Sequence, residues 1–338
     1  MKAVVLKRTG PAEELHKNLV IEEVPIPEIN ENEVLIRVKA ASLNHRDLWI
    51  TKGMYSKIRL PLIPGSDCSG IIHSAGKKVI HVKEGDEVLA NPGFNWGSNE
   101  EYQSREFTIL GMPEDGTFAE YVKLNSEYVY KKPEHLNFPE TSALPLAGIT
   151  AFRGLFIKAE IKKGDNILIT GIGGGVATMA FVFALSAGAN VFVTSSDGEK
   201  IRKSMDLGAL YGTIYKNDYW TEEIKEKVNN RIDIVFDGSG GSGYSKYIEL
   251  CNNGGKIISY GASYGNSDNI SLHKVYWKQL KIFGTTMGSQ KDFREMLKYV
   301  NEKKIKPLTD KEFSFSSIHG AFQRMNDSLQ FGKIIIIP

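Results

Sequence analysis

The stretch Asn166-Ile-Leu-Ile-Thr-Gly-Ile-Gly-Gly-Gly-Val-Ala177 decides the fold of this 338-residue chain. An apolar strand pattern runs directly into a cluster of glycines, and a long apolar helix pattern follows. Only glycine lets the backbone turn this tightly and approach a pyrophosphate closely. The helix directs its free N–H groups and the positive end of its dipole at that phosphate. The stretch therefore predicts a dinucleotide site, with Gly174, Gly175 and Val176 among the cofactor-binding residues.

The glycine cluster does not match the spacing Gly-x-Gly-x-x-Gly in any register. When the motif is aligned on Gly174, Gly175 and Val176, its last position is Ala177, which close packing of the helix accepts. A glycine motif alone is weak, but this one follows a strand and opens a helix, as in a βαβ unit. That context favours a nucleotide-binding loop over a glycine turn without a ligand.

The end of the next strand, Val193-Thr-Ser-Ser-Asp-Gly-Glu-Lys200, indicates which nicotinamide cofactor is preferred. A site that prefers NAD carries an acid at the last residue of this strand, for the ribose 2′-hydroxyl. Here that place holds Ser195 and Ser196, whose hydroxyls can bind a 2′-phosphate together with the ammonium of Lys200. We therefore expect NADPH as the cofactor. Asp197 is either an alternative ribose ligand or, because a helix starts beside it, the N-cap of that helix.

Ligands of parallel sheets bind at the carboxyl ends of the strands, and further cofactor contacts are expected there. Ser239, Gly261 and Ala262 follow later strands of the alternating region. Tyr215 ends the third strand, where it either flanks the phosphate of the adenosine or is an amphipathic strand-end tyrosine.

The composition limits the class of protein. The chain is 41% hydrophobic and 24% charged with a net charge of +2, which argues against nucleic acid or a membrane as a partner. It has no apolar run of about 18 residues and no signal-peptide pattern, so we expect a cytoplasmic protein. Cys68 and Cys251 cannot form a disulfide framework or a multi-cysteine zinc site, and we interpret them as buried thiols.

The pattern of secondary structure changes at about Leu146. Before it, short strand patterns alternate with turn residues, interrupted by a long polar loop at Asn91–Met112, and this predicts a β-rich barrel or sandwich. After it, strand patterns alternate with helix patterns, which predicts a doubly wound parallel sheet and an α/β fold class. The predicted strands of that sheet are Asn166–Thr170, Asn190–Thr194, Gly212–Tyr215, Ile232–Asp237, Lys256–Tyr260 and Lys281–Thr286.

An ordered set of motifs spread over nearly the whole chain resembles the medium-chain dehydrogenase/reductase superfamily. These motifs are Met1-Lys-Ala-Val-Val, Ala41-Ser-Leu-Asn-His-Arg-Asp47, Pro64-Gly-Ser-Asp-Cys-Ser-Gly70, Lys83-Glu-Gly-Asp-Glu-Val88, Gly116-Thr-Phe-Ala-Glu-Tyr121, Gly164–Gly171 and Phe236-Asp-Gly-Ser-Gly-Gly241. The resemblance implies a GroES-like catalytic domain at residues 1–146 and 289–338, and a Rossmann domain for NADP(H) at residues 147–288. It also implies a homodimer in which strands such as Lys281–Thr286 pair edge to edge.

The same resemblance locates the positions that hold zinc in the zinc-dependent alcohol dehydrogenases of the superfamily. In this chain they correspond to Asn44, Ser66 and about Leu146, with Asp67 as the acid that follows the family's histidine. A catalytic zinc site needs three thiolate, imidazole or carboxylate ligands. The family's structural-zinc lobe corresponds to Asn91–Met112, which has no cysteine. We therefore predict that neither zinc site is present, and assign no metal ligand.

The zinc-free quinone oxidoreductases and enoyl reductases of the superfamily are a better match, since they carry an Asn at the Asn44 position and a Gly-x-Tyr segment like Gly53-Met-Tyr55. The resemblance implies that Asn44 holds the nicotinamide amide or a substrate oxygen, and that Tyr55 delivers a proton or orients the substrate. Thr150 resembles the hydroxyl that contacts the nicotinamide. His45 either approaches the pyrophosphate or lies at a domain interface.

Each of these residues also has a purely structural interpretation. Asn44 can be a turn residue, Tyr55 a packing tyrosine, and Thr150 a helical threonine bonded to a carbonyl of its own helix.

The predicted activity is hydride transfer from NADPH, without zinc, to a quinone or an α,β-unsaturated carbonyl or enoyl substrate, with catalytic residues Asn44 and Tyr55. Without a metal, the acceptor must already be electron-poor, and the protein supplies geometry and hydrogen-bond donors. Two alternatives remain open. One is a dehydrogenase or reductase of alcohols and aldehydes, and the other is an NADPH-binding sensory or structural protein with little turnover.

Overall fold

The computed structural model describes residues 1–229, 231–267 and 269–338. Within these ranges, no helix combines the length and apolar character that crossing a bilayer requires. The strands are β1 (Lys2–Leu6), β2 (Leu19–Glu23), β3 (Glu33–Ser42), β4 (Asp67–Ala75), β5 (Glu87–Ala90), β6 (Gly93–Phe94), β7 (Thr108–Ile109), β8 (Tyr121–Asn125), β9 (Val129–Lys131), β10 (Asn166–Ile169), β11 (Asn190–Ser195), β12 (Tyr211–Ile214), β13 (Ile232–Asp237), β14 (Cys251–Ser259), β15 (Lys281–Gly284), β16 (Thr309–Ser314) and β17 (Lys333–Ile337).

The helices connect these strands. They are α1 (Leu15–Asn18), α2 (His45–Thr51), α3 (Phe138–Ser142), α4 (Pro145–Phe152), α5 (Gly175–Ser186), α6 (Gly198–Asp206), α7 (Trp220–Lys227), α8 (Tyr244–Leu250), α9 (Leu272–Trp277), α10 (Gln290–Lys303) and α11 (Ile318–Asn326). A π-helical segment, Arg153–Lys158, follows α4.

The chain divides into two compact units, the first formed by Met1–Ile149 with Gly288–Pro338 and the second by Thr150–Met287. The functional division predicted from the sequence, at 146/147 and 288/289, stays a prediction. The α/β fold class predicted from the sequence is confirmed.

The first unit is built on a mixed sheet with the strand order β16-β17-β3-β4-β5-β9, and β8 also pairs with β3. Alternating apolar side chains from β3, β4 and β17 enter one core, which the apolar face of α11 completes. Because β4 and β17 both run antiparallel to β3, their first residues lie at the end where β3 finishes. This register brings the residues that follow β3 next to the starts of β4 and β17.

The second unit is a parallel sheet with the strand order β12-β11-β10-β13-β14-β15. In chain order this is the 3-2-1-4-5-6 arrangement of dinucleotide-binding folds, whose order reverses between β10 and β13. Its central strands are continuous apolar runs because helices cover both faces of such a sheet. The loops after β10 and β13 therefore lie at the switch point, where ligands of these sheets bind.

Most predicted strands lie within a few residues of those observed, and two predictions needed correction. The strand predicted at Lys256–Tyr260 is longer in the structure, where it begins at Cys251. The segment Asn91–Met112 is not a purely polar loop. It contains the short β6–β7 hairpin and buries Phe94, Trp96 and Leu110. The strand and core were missed because their apolar residues are isolated among polar ones, so no period-2 pattern appears.

Candidate active site

The polar centre of the first unit forms where β3 ends. Asn44 follows β3 with an extended backbone (φ −119°, ψ 153°) and is the N-cap residue of α2. Its backbone N–H donates to Asp47 Oδ2 at 2.8 Å, so the carboxylate satisfies one of the free N–H groups at the helix start. The side-chain Nδ2 of Asn44 donates to Asp67 Oδ2 at 2.9 Å.

Asp67, the first residue of β4, is fully buried and accepts hydrogen bonds on both oxygens. Its Oδ1 accepts the backbone N–H of Leu146 at 2.9 Å. Its Oδ2 accepts the Ser42 hydroxyl at 3.2 Å and, at 3.0 Å, the ammonium of Lys333, the first residue of β17. Lys333 Nζ also donates to Asn44 Oδ1 at 2.5 Å. The result is a buried ion pair that shares one asparagine. We refer to Asn44, Asp67 and Lys333 together as the polar centre.

Lys333 was not identified from the sequence. The sequence does contain one indication, because Lys333 directly precedes the apolar run Ile334–Ile337, which is typical of a buried strand. A lysine is rarely buried without a partner. The sequence did not reveal the partner, because the ion pair depends on a strand register that spans 266 residues.

A second group of side chains surrounds Arg46, which is buried on α2. Its Nη1 donates to Ser66 Oγ at 2.7 Å and to the carbonyl of Leu110 at 2.9 Å. Its guanidinium carbon lies 5.8 Å from the centroid of the Tyr55 ring. Burial raises the pKa of the Tyr55 hydroxyl, an effect that the Arg46 charge opposes, so Tyr55 is protonated at neutral pH.

Asp47 is also fully buried, and burial raises the pKa of its carboxyl to about 6. The nearby Arg46 charge and the hydrogen bond from Asn44 lower it, but less than burial raises it. Its Oδ1 lies 4.0 Å from Arg46 Nη1 and accepts no hydrogen bond from the part of the chain that the structure describes. His45, next to it on α2, is half-buried and contacts the Trp49 ring at 6.0 Å between centroids.

The donor set at the positions that correspond to zinc ligands does not fit a zinc ion. The oxygen of Asn44 is engaged by an ammonium, Ser66 Oγ accepts from a guanidinium, and Leu146 has an apolar side chain. Two buried cations therefore lie against these residues, whereas zinc requires anionic or imidazole ligands. Over residues 1–229, 231–267 and 269–338, no group of three or more His, Cys, Asp or Glu side chains is arranged to hold a metal.

The glycine loop of the second unit follows β10 and has room above it. Gly171 and Gly173 have φ angles of +61° and +127°, which residues other than glycine rarely adopt. Gly174 is the N-cap of α5, followed by Gly175 and Val176 in its first turn. A Cβ on Gly174 would meet no atom within 4 Å. Gly174, Gly175 and Val176 thus lie at the N-terminus of a 12-residue helix, where free backbone N–H groups suit a pyrophosphate.

The residues predicted to select the cofactor lie at the end of β11 and just after it. Ser195 is buried, and its hydroxyl accepts the backbone N–H of Asp197 at 3.1 Å, whereas Ser196 is exposed. Asp197 is the N-cap of α6, since its Oδ1 accepts the N–H of Glu199 at 2.9 Å, which is the second of its two interpretations. Lys200 is largely buried in α6.

The other predicted cofactor residues come from loops that contact one another. Ser239 Oγ lies near Gly171, and the Ser239 carbonyl accepts the N–H of Tyr264 at 2.8 Å. This holds the segment containing Gly261 and Ala262 against the loop after β13. The hydroxyl of Tyr215 lies 3.2 Å from that of Tyr264.

Thr150 is buried near the end of α4, with Oγ1 4.0 Å from the sulfur of Met287.

Comparison with known proteins agrees with this architecture. The family described as alcohol dehydrogenase GroES-like domain matches residues 30–134, and that described as zinc-binding dehydrogenase matches residues 175–302. A zinc-type alcohol dehydrogenase-like protein of Schizosaccharomyces pombe is 35% identical, over 93% of this chain and 94% of its own length. An acryloyl-coenzyme A reductase of Sulfurisphaera tokodaii is 31% identical over the full length of both chains. The crystal structure of an NAD-dependent alcohol dehydrogenase superposes with a TM-score of 0.93 at 33% identity, also over the full length of both.

Proposed function

The protein is an oxidoreductase of the medium-chain dehydrogenase/reductase superfamily, and we propose that it is a zinc-independent reductase that uses NADPH to reduce α,β-unsaturated carbonyl or enoyl compounds, or quinones. The observation that carries this proposal is the ion pair of Lys333 and Asp67 against Asn44, which stands at a position that corresponds to a zinc ligand. A zinc-dependent dehydrogenase stabilises the alkoxide of its substrate with a Lewis acid, and this centre lacks the three thiolate, imidazole or carboxylate ligands that a catalytic zinc requires. An activated alkene or a quinone is electrophilic without such help. The similarity to an acryloyl-coenzyme A reductase supports the same class of substrate.

The proposed role of the first unit is to bind the substrate oxygen and to supply a proton. Asn44 has an amide N–H that can stabilise negative charge as it develops on the substrate oxygen. Tyr55 stays protonated at neutral pH and has Arg46 beside its ring, so it can donate a proton after hydride transfer. Both roles require the donor to be within hydrogen-bond reach of the substrate.

The proposed role of the second unit is to bind NADPH. A bound nicotinamide supplies the hydride. The backbone N–H groups at Gly174, Gly175 and Val176 would bind its pyrophosphate, and Ser195, Ser196 and Lys200 its 2′-phosphate. The absence of an acid at the end of β11 supports NADPH over NADH. The remaining proposed cofactor contacts are Tyr215, Ser239, Gly261, Ala262, His45 and Thr150.

Oxidation of an alcohol is the second candidate, because an NAD-dependent alcohol dehydrogenase has a very similar fold. A panel of 2-alkenals, enoyl thioesters, quinones and simple aldehydes, each assayed with NADPH and NADH, distinguishes the two. The proposal predicts faster oxidation of NADPH than of NADH with at least one activated alkene or quinone, and little activity with simple aldehydes. Preferential use of NADH with alcohols and aldehydes would contradict it.

A third possibility is an NADPH-binding protein with negligible turnover, in a sensory or structural role. Binding of NADPH without turnover on any member of the panel would favour it. The proposed location in the cytoplasm and the homodimer are tested separately, by fractionation and by the mass of the protein in solution.

A further inference from the structure

A buried lysine outside every sequence motif lies against Asn44. Lys333 is 2% exposed and Asp67 is fully buried, and their ion pair is 3.0 Å long. Charges removed from water in this way are stable only when they are paired and hydrogen-bonded. Asp67 meets that condition with four donors, which are Ser42, Asn44, Leu146 and Lys333.

The two charges fix the direction of the Asn44 carboxamide. An ammonium only donates hydrogen bonds, and an ionised carboxylate only accepts them. Oδ1 of Asn44 must therefore face Lys333, and Nδ2 must face Asp67, as the distances of 2.5 and 2.9 Å reflect. A rotation of the amide by 180° would lose both hydrogen bonds. Asp67 takes one of the two amide hydrogens, and within the described residues the other has no acceptor.

We propose that Lys333 is a positioning residue that, with Asp67, holds Asn44 as an N–H donor to the carbonyl oxygen of the substrate. The inference rests on the proposed reduction of activated alkenes. In that reaction a hydride from the nicotinamide would form a bond to the β-carbon as its C–H bond to the nicotinamide breaks, which leaves the nicotinamide oxidised. The alkene π pair moves to the bond between the α-carbon and the carbonyl carbon. The carbonyl π pair then becomes the enolate oxygen charge. A proton on the α-carbon restores the carbonyl group.

The charges of Lys333 and Asp67 cancel, so this pair orients the amide rather than adding net charge to the centre. The Lys333 ammonium therefore acts on the substrate only indirectly, by fixing the direction of the Asn44 amide. A carboxamide without this support would divide its time between orientations that present a donor and orientations that present an acceptor. Preorganised donors are more effective because they need no rearrangement during the reaction.

The test is a coupling experiment with Lys333→Met/Asp67→Asn and Asn44→Leu, alone and combined. The double variant removes both charges together, so neither remains buried alone. In the native background, Asn44→Leu should lower kcat with a 2-alkenal roughly 100-fold, as loss of an oxyanion donor does. The charge-free background should lose about 10-fold by itself, and Asn44→Leu should then cost less than about 3-fold more, because coupled residues are not additive.

Two further variants make the result specific. Lys7→Met/Glu22→Gln neutralises an exposed ion pair of the same unit and should leave kcat unchanged. Lys333→Arg keeps a cation that only donates, so it should retain the full sensitivity to Asn44→Leu. This variant answers the question even where the double variant does not fold.

The outcomes separate the inference from the proposed function. Additive losses, or a charge-free variant as active as the native protein, would overturn the role of Lys333 and leave the reductase activity standing. The same holds for a folded Lys333→Arg variant that is insensitive to Asn44→Leu. A native protein with no turnover on any activated alkene would overturn the proposed function and this inference together.

Discussion

The two proposed binding regions of the molecule are built in opposite ways. The glycine loop of the second unit offers backbone N–H groups and open space, with a Gly174 position that no neighbouring atom approaches within 4 Å. The polar centre of the first unit consists of side chains that are buried and bonded to one another. The first arrangement binds an anion through main-chain geometry, and the second fixes the direction of one amide through paired charges. Substitutions in the polar centre should therefore lower the free energy of unfolding, whereas substitutions in the glycine loop should lower the affinity for the ligand.

The largest expected effect is the loss of one charge from the polar centre. Lys333→Met leaves the Asp67 carboxylate buried without its cation, which should reduce the free energy of unfolding by about 3–5 kcal/mol. Adding Asp67→Asn should restore most of that loss, because no isolated charge remains. Chemical denaturation of the native protein and both variants measures the difference. If Lys333→Met were as stable as the native protein, Lys333 and Asp67 would not form the buried ion pair described above.

The next effect is the pH dependence caused by Asp47. Its pKa is raised by burial from 3.8 to about 6, so the folded state binds this proton more tightly than the unfolded state does. The resulting stabilisation is present below about pH 4 and is lost as the pH rises through 6, and the pKa difference corresponds to about 3 kcal/mol.

Asp47→Asn should remove this dependence, so the stability of the variant relative to the native protein should rise between pH 4 and 7. Denaturation at several pH values checks the slope, with the exposed Asp218→Asn as the control. Parallel curves for the native protein and Asp47→Asn would contradict the assignment.

A smaller effect is expected at the glycine loop. Gly174 has φ −71°, which alanine adopts without strain, so Gly174→Ala should leave the free energy of unfolding within about 0.5 kcal/mol. The added methyl group would occupy the space proposed for the pyrophosphate and weaken NADPH binding roughly 10-fold, or about 1.4 kcal/mol.

Fluorescence titration with NADPH measures the affinity. Gly243→Ala is the matched control, because Gly243 is the N-cap residue of α8 and a Cβ there would meet only the Tyr247 side chain, at an ordinary contact distance of 3.6 Å. Equal affinities for both variants would place the pyrophosphate elsewhere.

The smallest expected change in stability is at Tyr55. Tyr55→Phe keeps the ring beside Arg46 and removes only the hydroxyl, so stability should hardly change. If the hydroxyl donates the proton, kcat should fall at least about 10-fold, and the loss should be partly recovered at low pH, where hydronium substitutes. Steady-state kinetics between pH 5 and 8 provides the measurement. Native kcat in Tyr55→Phe would leave this residue with a packing role only.

The contrast between the two regions also explains what the sequence could predict. The glycine loop and its strand were predicted from Asn166–Ala177 because the strand, turn and helix signals are local. Asn44 was singled out through its motif, but its partner Lys333 was not, because only a long-range strand register brings them together. The core of Asn91–Met112 was missed for a related reason, since isolated apolar residues give no periodic signal.

The central claim is that the polar centre works without a metal, and zinc analysis combined with an activity assay tests it most directly. The zinc content per chain is measured by elemental analysis, and NADPH oxidation with a 2-alkenal is followed before and after exhaustive dialysis against a chelator. The account predicts substoichiometric zinc and an unchanged kcat after dialysis. One zinc ion per chain, with activity that is lost on chelation and restored by added zinc, would contradict it.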